Sequence, residues 1–247
     1  MIKSDEYRKE LHKLSNWDDY LRSKSGLPGP RGNLELAQVV VDEGNKGLFE
    51  RYVLFSPEIA PENTQDVFLA FCGVVGLGRL VAEGKKENIA RLRKLASDPR
   101  WRIREGVAMA LQRVGDKDMG LLLVEMEKWI KGGELEQRAA AAAICEPRLL
   151  KNVSYSKRSL NILNEITTSI GKNKDRKSEA FIALRKGMGY CWSVAVALNP
   201  EFGKKLMAKW IPSRDKDIQW IMKENLKKNR LIKCDAKWVK EMNRKIV

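Results

Sequence analysis

Apolar residues recur every three to four positions along almost the whole chain, the spacing of helices with one buried face. No stretch shows the sustained alternation of apolar and polar residues that indicates a β-strand. Proline- and glycine-rich breakers such as Asp98-Pro99, Gly132-Gly133 and Asn199-Pro200 separate the periodic segments. The pattern therefore predicts an all-α chain with helices at about 4–24, 33–43, 46–55, 64–83, 86–96, 101–114, 117–131, 134–145, 155–170, 176–198, 201–211, 215–229 and 235–245.

Several helices form pairs with a similar layout. Residues 92–115 (LRKLASDPRWRIREGVAMALQRVG) and residues 205–229 (KLMAKWIPSRDKDIQWIMKENLKKN) each contain a helix, a turn and a second helix, and residues 122–146 are a looser copy. Repeated pairs that cannot bury their apolar faces alone favour an α-solenoid. The Asp-Pro turn before Ile103-Arg104 resembles HEAT repeats. We expect one superhelical domain over 1–247 with a basic concave face, in which 1–32 form a capping helix and a Pro/Gly linker and 33–247 form the repeats.

Three glycines lie within the apolar segment CGVVGLGRL, at Gly73, Gly76 and Gly78. A glycine-rich loop that binds phosphate follows a strand. Here the glycines fall inside a predicted helix, so close packing between helices is the preferred interpretation.

Net charge points to a polyanionic partner. The chain has 47 Lys and Arg against 32 Asp and Glu, and the stretch 172–247 holds 20 of the basic residues but only 8 of the acidic ones. Such an uneven positive charge is typical of nucleic-acid binding, and the alternative is a basic soluble protein with no such role. We expect double-stranded DNA as the partner and a monomeric state.

Other functional classes receive little support from the sequence. The four cysteines form no CxxC pair and there is one histidine, so no zinc site is predicted, and no organic cofactor is implied. The N-terminus lacks the apolar core of a signal peptide, and we find no run of about 20 apolar residues that would span a membrane. A cytoplasmic protein with reduced thiols, associated with the nucleoid if it binds DNA, is expected.

Two helices place aromatic and charged residues away from their apolar faces. With successive residues rotated by about 100°, Trp101 and Glu105 fall opposite the stripe around Ile103, and the small Ala108 is expected beside them. In 215–229 the outward positions are Lys216, Trp220, Lys223 and Lys227. These side chains suit phosphates and stacked bases, although Trp220 could equally pack against a neighbouring repeat.

These features resemble the bacterial HEAT-like alkylpurine DNA glycosylase family. The segment RKGMGYCWSVAVALNP (185–200) is similar to a helix of that family, with Lys186, Met188, Gly189, Tyr190, Asn199 and Pro200 at matching spacing. The resemblance implies that Trp101 lies against the alkylated nucleotide, that Glu105 replaces the family's catalytic Asp, and that Tyr190 replaces its second aromatic. It also implies that Arg138 binds phosphate and that a shallow groove suffices, because the base is not extruded into a pocket. The further candidates for DNA contacts are Arg102, Arg104, Lys186, Lys216, Trp220, Lys223 and Lys227.

The sequence departs from the family at three positions. Glu105 stands for Asp, Tyr190 for Trp and Ser193 for Arg. Alternatively, Glu105 is a carboxylate near a helix N-terminus, where its negative charge interacts favourably with the helix dipole. Two hypotheses follow: a DNA-binding HEAT-like protein that acts as a glycosylase on alkylated purines, and a non-catalytic HEAT-repeat scaffold for a protein partner.

Overall fold

The prediction of an all-α chain is confirmed. The computed structural model describes residues 3–246, which contain 14 α-helices, one 3-10 turn and no strand. The helices are α1 (Lys3–His12), α2 (Asp18–Lys24), α3 (Leu34–Glu43), α4 (Lys46–Val53), α5 (Gln65–Ala82), α6 (Asn88–Leu95), α7 (Trp101–Lys117), α8 (Met119–Trp129), α9 (Glu134–Ile144), α10 (Val153–Lys172), α11 (Glu179–Leu198), α12 (Pro200–Ala208), α13 (Lys216–Leu226) and α14 (Asn229–Lys245), with the 3-10 turn at Pro147–Leu150.

Two predicted helices differ from those observed. The helix predicted at 4–24 is divided into α1 and α2, and the side chain of Asn16 accepts a hydrogen bond from the Asp18 amide just before α2 begins. The helix predicted at 235–245 is the second part of α14, which has a kink at Asp235 (φ −160°, ψ 89°). The Asp235 carboxylate accepts from the Trp238 amide, so it acts as a cap inside the longer helix.

The chain divides into two compact units, unit one (residues 1–114) and unit two (residues 115–247). In unit one α5 is the central helix and packs against α2, α3, α4 and α6. A Cβ atom on Gly76 would lie 2.3 Å from the Phe49 ring, and one on Gly78 would lie 2.3 Å from the Ala110 carbonyl oxygen. The prediction that these glycines serve close helix packing agrees with this geometry.

The central helix of unit two is α11, which contacts α9, α10, α12, α13 and α14. Trp192 is fully buried and donates to the Thr167 hydroxyl (3.1 Å). The buried amide of Asn225 joins α13 to α11, since its Nδ2 donates to the Met188 carbonyl (2.8 Å) and its Oδ1 accepts from the Ser193 amide (2.7 Å). Polar groups that are fully satisfied in a core fix the register of the helices that they join.

The Pro/Gly segment that was predicted as a linker is an ordered loop at 25–33. The Asn33 amide donates to the Ser25 carbonyl (2.8 Å), and the Gly29 amide donates to the Asn63 side chain (3.1 Å). The Arg102 guanidinium donates to the Gly29 carbonyl (2.7 Å). Leu27 is buried, and its peptide bond to Pro28 is cis. These hydrogen bonds close the loop on itself and attach it to Asn63 and to α7.

One helix between residues 3 and 246, α5, is long and apolar enough to cross a membrane by length and composition alone. The sequence predicted no run of about 20 apolar residues, and α5 has 18 residues. Within the structure 78% of the segment is buried, which is also typical of a core helix.

Candidate functional site

A cavity of about 180 Å³ lies in unit one between the 25–33 loop, α5 and the first turns of α7. Its residues combine apolar, aromatic and charged side chains: Leu27, Pro30, Arg31, Gly32, Leu34, Phe68, Phe71, Trp101, Arg102 and Glu105. Cavities lined mainly by apolar and aromatic groups with a few charges are the usual form of small-ligand sites. The structure thus brings three predicted site residues, Trp101, Arg102 and Glu105, into one cavity.

The aromatic part of the cavity comes from two helices. Phe68 and Phe71 of α5 are buried and lie nearly parallel, with ring centroids 6.4 Å apart. Trp101 opens α7 and keeps 39% of its surface exposed, whereas Glu105 follows one helical turn later and is half-buried. The positions i and i+4 on a helix share one face, so the indole and the carboxylate border the same space. Aromatic rings beside a carboxylate suit a planar ligand that also carries a hydrogen-bond donor.

Arg102 was predicted to contact DNA. In the structure it belongs to the wall of the cavity. It is only 6% exposed, and its Nε lies 3.2 Å from Oε1 of Glu62. Its guanidinium carbon also lies 4.7 Å from the centroid of the Trp101 ring. Arg102 therefore holds the Trp101 ring and the Gly29 carbonyl in place. Because its charge is paired and its side chain is buried, it has little exposed surface that could contact a phosphate.

Two further expectations about α7 need correction. Ala108 is 7% exposed, so it is part of the core and does not widen an open face. The guanidinium of Arg104 donates to the carbonyls of Asp98 (2.6 Å) and Pro99 (2.8 Å), which places it over the end of the turn before α7. The helical wheel could not show these differences, because the packing of other segments decides which face of a helix is covered.

Tyr190, the predicted second aromatic, lies in unit two. It is 43% exposed, the guanidinium carbon of Arg230 lies 4.5 Å from its ring centroid, and Arg230 also donates to its hydroxyl oxygen. Ser193, which stands where the family has Arg, is fully buried, and its hydroxyl donates to the Tyr190 carbonyl (2.7 Å). An exposed aromatic ring stacked with a guanidinium offers both a stacking surface and a positive charge.

The remaining predicted DNA contacts of unit two differ in their exposure. Lys186, Lys216, Lys223 and Lys227 are exposed, and Lys227 pairs with Glu224 (2.6 Å). Trp220 is half-buried, packs close to Gly189, and has the guanidinium of Arg185 at 4.2 Å from its ring centroid, so the packing alternative describes it better than an exposed stacking role. Arg138 on α9 is half-buried, and its side chain lies beside Gly187.

Within the described residues 3–246, no group of three or more His, Cys, Asp or Glu is placed to hold a metal ion. The four cysteines form no disulfide, and Cys72, Cys145 and Cys191 are buried. Burial raises the pKa of the Cys145 thiol, and a hydrogen bond with Cys191 raises it further. A thiol with a raised pKa is a poor nucleophile, and no cysteine lines the cavity.

Sequence reasoning missed the residues that complete the cavity, namely Phe68, Phe71, Arg31 and Leu27. Phe68 and Phe71 are three positions apart in an apolar helix, which looks like ordinary core. In the 25–33 loop, only the high content of Pro and Gly distinguished the sequence, and that feature predicts a loop but not a cavity. Comparison of the chain with family models, curated proteins and solved structures finds no match. The HEAT-like resemblance therefore stays a prediction.

Proposed function

We propose that this chain is a HEAT-like α-solenoid protein that binds double-stranded DNA and hydrolyses the N-glycosidic bond of alkylated purines. The observation that carries the proposal is the shared cavity of Trp101 and Glu105, with Phe68 and Phe71 beside them. Consecutive helices that pack on each other, such as α8 with α9 and α13 with α14, support the repeat architecture.

The cavity matches the chemistry of such a substrate. A purine alkylated at N3 or N7 is cationic, so aromatic faces and a carboxylate both attract it. When the N-glycosidic bond breaks, the bonding electron pair leaves with the base, which departs neutral, and the sugar becomes an oxocarbenium ion. The Glu105 carboxylate would stabilise that positive charge. Water then adds its oxygen to C1′ of the sugar and passes a proton to Glu105.

Charge supports the DNA-binding part of the proposal. Unit two contains 28 Lys and Arg against 16 Asp and Glu, and exposed cations such as Lys186, Lys216 and Lys223 form no ion pair within the described part of the chain. Unpaired cations bind phosphates by releasing counterions, with little dependence on base sequence. Tyr190 and Arg138 are proposed to belong to the same DNA-contacting surface of unit two.

The test is release of 7-methylguanine and 3-methyladenine from methylated duplex DNA, measured by mass spectrometry of the freed bases. Glu105→Gln should lower the release rate about 100-fold or more, the usual cost of removing a group that stabilises developing charge. Glu87→Gln is the matched control, because Glu87 is an exposed carboxylate of unit one that does not line the cavity. Equal release by wild type and Glu105→Gln would show that Glu105 is not catalytic.

A second candidate is a non-catalytic scaffold for a protein partner. Two apolar side chains between α4 and α5, Leu54 and Ile59, are 73% and 60% exposed, as in surfaces that bind other proteins. Duplex binding that weakens steeply with salt, without base release, would indicate a DNA-binding relative that lacks the chemistry. Absence of both activities would favour the scaffold.

A further inference from the structure

A second cavity of about 370 Å³ adjoins the first. Arg31, Gly32 and Leu34 line both cavities, so the 25–33 loop is their common wall. The first cavity is largely aromatic and apolar. The second is bordered by three cations, Lys3, Lys24 and Arg31, and by one carboxylate, Glu35. The two spaces thus offer different chemistry on either side of one loop.

Two of the three cations keep their charge uncompensated. Arg31 and Lys24 are exposed, and neither has an ion-pair partner within residues 3–246. Glu35 lies 4.0 Å from Lys3, and both side chains are more than 60% exposed. Glu35 is therefore paired with Lys3. The charges of Lys24 and Arg31 remain, so the second cavity has a net positive charge.

The backbone around these cations is fixed. Gly26 has a φ of +75°, and a Cβ atom there would lie 2.9 Å from the Arg31 carbonyl oxygen, so the loop closes tightly at its start. The Asn33 side chain donates to the Lys24 carbonyl (2.9 Å) and to the Tyr7 hydroxyl (2.9 Å). A cation on a fixed backbone loses less entropy when it binds an anion than a cation on a mobile segment.

We propose that the two cavities together bind one purine nucleotide, with the base in the first cavity and its phosphate between Lys24 and Arg31 in the second. Aromatic rings complement a base, and guanidinium and ammonium groups complement a phosphate. Arg31 borders both spaces and so stands where base and phosphate are joined through the sugar. The inference rests on the proposed function only in assigning a base to the first cavity. The nucleotide comes from a DNA strand or from solution.

The experiment compares pairs of probes that differ only in the phosphate. In the first arm, calorimetry measures binding of 7-methylguanosine and 7-methylguanosine 5′-monophosphate. In the second arm, a duplex carries one hydrolysis-resistant 2′-fluoro-7-methylguanosine, and the adjacent phosphate is either native or a neutral methylphosphonate. Each arm uses wild type, the double variant Lys24→Gln/Arg31→Gln, and the control Lys85→Gln/Lys86→Gln, whose exposed lysines line neither cavity.

In at least one arm, the charged phosphate should raise the affinity of wild type and control about tenfold, as expected for a charge-assisted contact. The double variant should show less than about a twofold effect in the same arm. An effect with free nucleotide identifies a ligand from solution, and an effect with the duplex alone identifies a DNA residue. No phosphate effect in either arm, or an equal effect in the double variant, would overturn the inference.

These outcomes are separate from the test of base release. Loss of excision in all conditions together with a phosphate effect that depends on Lys24 and Arg31 would leave the nucleotide site intact and reject the catalytic proposal. Excision that needs Glu105, together with binding that does not depend on the adjacent phosphate, would support the catalytic proposal and reject the nucleotide site. Thermal unfolding of the double variant checks its fold, which should be unchanged because both side chains are exposed.

Discussion

The two units are built alike but carry their charge differently. Each surrounds one apolar central helix, α5 in unit one and α11 in unit two. Unit one has 19 Lys and Arg against 16 Asp and Glu, whereas unit two has 28 against 16. Cations of unit one such as Arg100 and Arg102 are buried in ion pairs, while several lysines of unit two remain exposed and unpaired. The same helical construction therefore supports a cavity with aromatic walls in one unit and a surface of exposed, unpaired lysines in the other.

Two glycines of the central helices, Gly76 of α5 and Gly187 of α11, should tolerate a methyl group very differently. In Gly76→Ala the new Cβ would lie 2.3 Å from the ring of the fully buried Phe49, and we expect a loss of about 3 kcal/mol in the free energy of unfolding. In Gly187→Ala of α11 the nearest atom is Cγ of Arg138 at 3.4 Å, so the gain in helix propensity should leave stability unchanged or higher. Urea unfolding measures both, and similar changes would contradict the close packing of α5.

The charge difference should appear in DNA affinity. Neutralising Lys186, Lys216 and Lys223 with glutamine should weaken duplex binding about 100-fold at moderate salt and flatten the salt dependence, because about three phosphate contacts are lost.

The matched control neutralises three exposed lysines of unit one, Lys85, Lys86 and Lys94. Fluorescence anisotropy at several salt concentrations compares the two triple variants. If both weaken binding equally, net charge alone decides affinity and unit two holds no dedicated surface.

A buried carboxylate should give unit one a stability that depends on pH. Burial alone would raise the pKa of Asp18, but hydrogen bonds from Arg51 (2.6 and 2.8 Å) and Tyr52 (2.8 Å) outweigh burial and lower it below 3.8. A carboxyl group whose pKa is lower in the folded state than in the unfolded state stabilises the fold at pH values above the unfolded-state pKa. That stabilisation is lost as the pH falls through the folded-state pKa. Asp18→Asn should cost about 2 kcal/mol at pH 7 and less at pH 3.

Thermal unfolding between pH 3 and pH 7 measures this difference. A penalty for Asp18→Asn that stays constant over this range would show that the carboxylate charge does not stabilise the fold.

The smallest expected effect concerns two buried serines on α10 of unit two. Ser156 accepts from Asn199 (2.9 Å) and donates to the Val153 carbonyl (3.0 Å), whereas the Ser159 hydroxyl has no hydrogen-bond partner among the described residues. Ser159→Ala should leave stability unchanged or raise it by up to about 1 kcal/mol, while Ser156→Ala should lower it by about 1 kcal/mol. Chemical unfolding of both variants measures the contrast, and a larger loss from Ser159→Ala would reveal an overlooked partner.

Much of the helical pattern followed from sequence, because helix formation depends on neighbours three and four residues apart. The predicted segments match the observed helices closely, and most of the errors fall at their ends and at the two places where an Asn or Asp side chain caps a helix. The pairing of Trp101 with Glu105 was visible for the same reason. By contrast, the exposed role of Trp220 was left open, since only contacts with Gly189 and Arg185 show that it is half-buried.

The sequence by itself determined the all-α class, the positions of most helices, the one-turn separation of Trp101 and Glu105, and the concentration of positive charge in 172–247. The tertiary structure decided that the 25–33 loop borders Trp101 and that Arg102 is buried. A hydrogen bond from Arg102 to the Gly29 carbonyl connects the loop to α7 across 73 positions of the chain. Local periodicity carries no information about contacts at such distances, because they depend on how whole helices and loops fill space together.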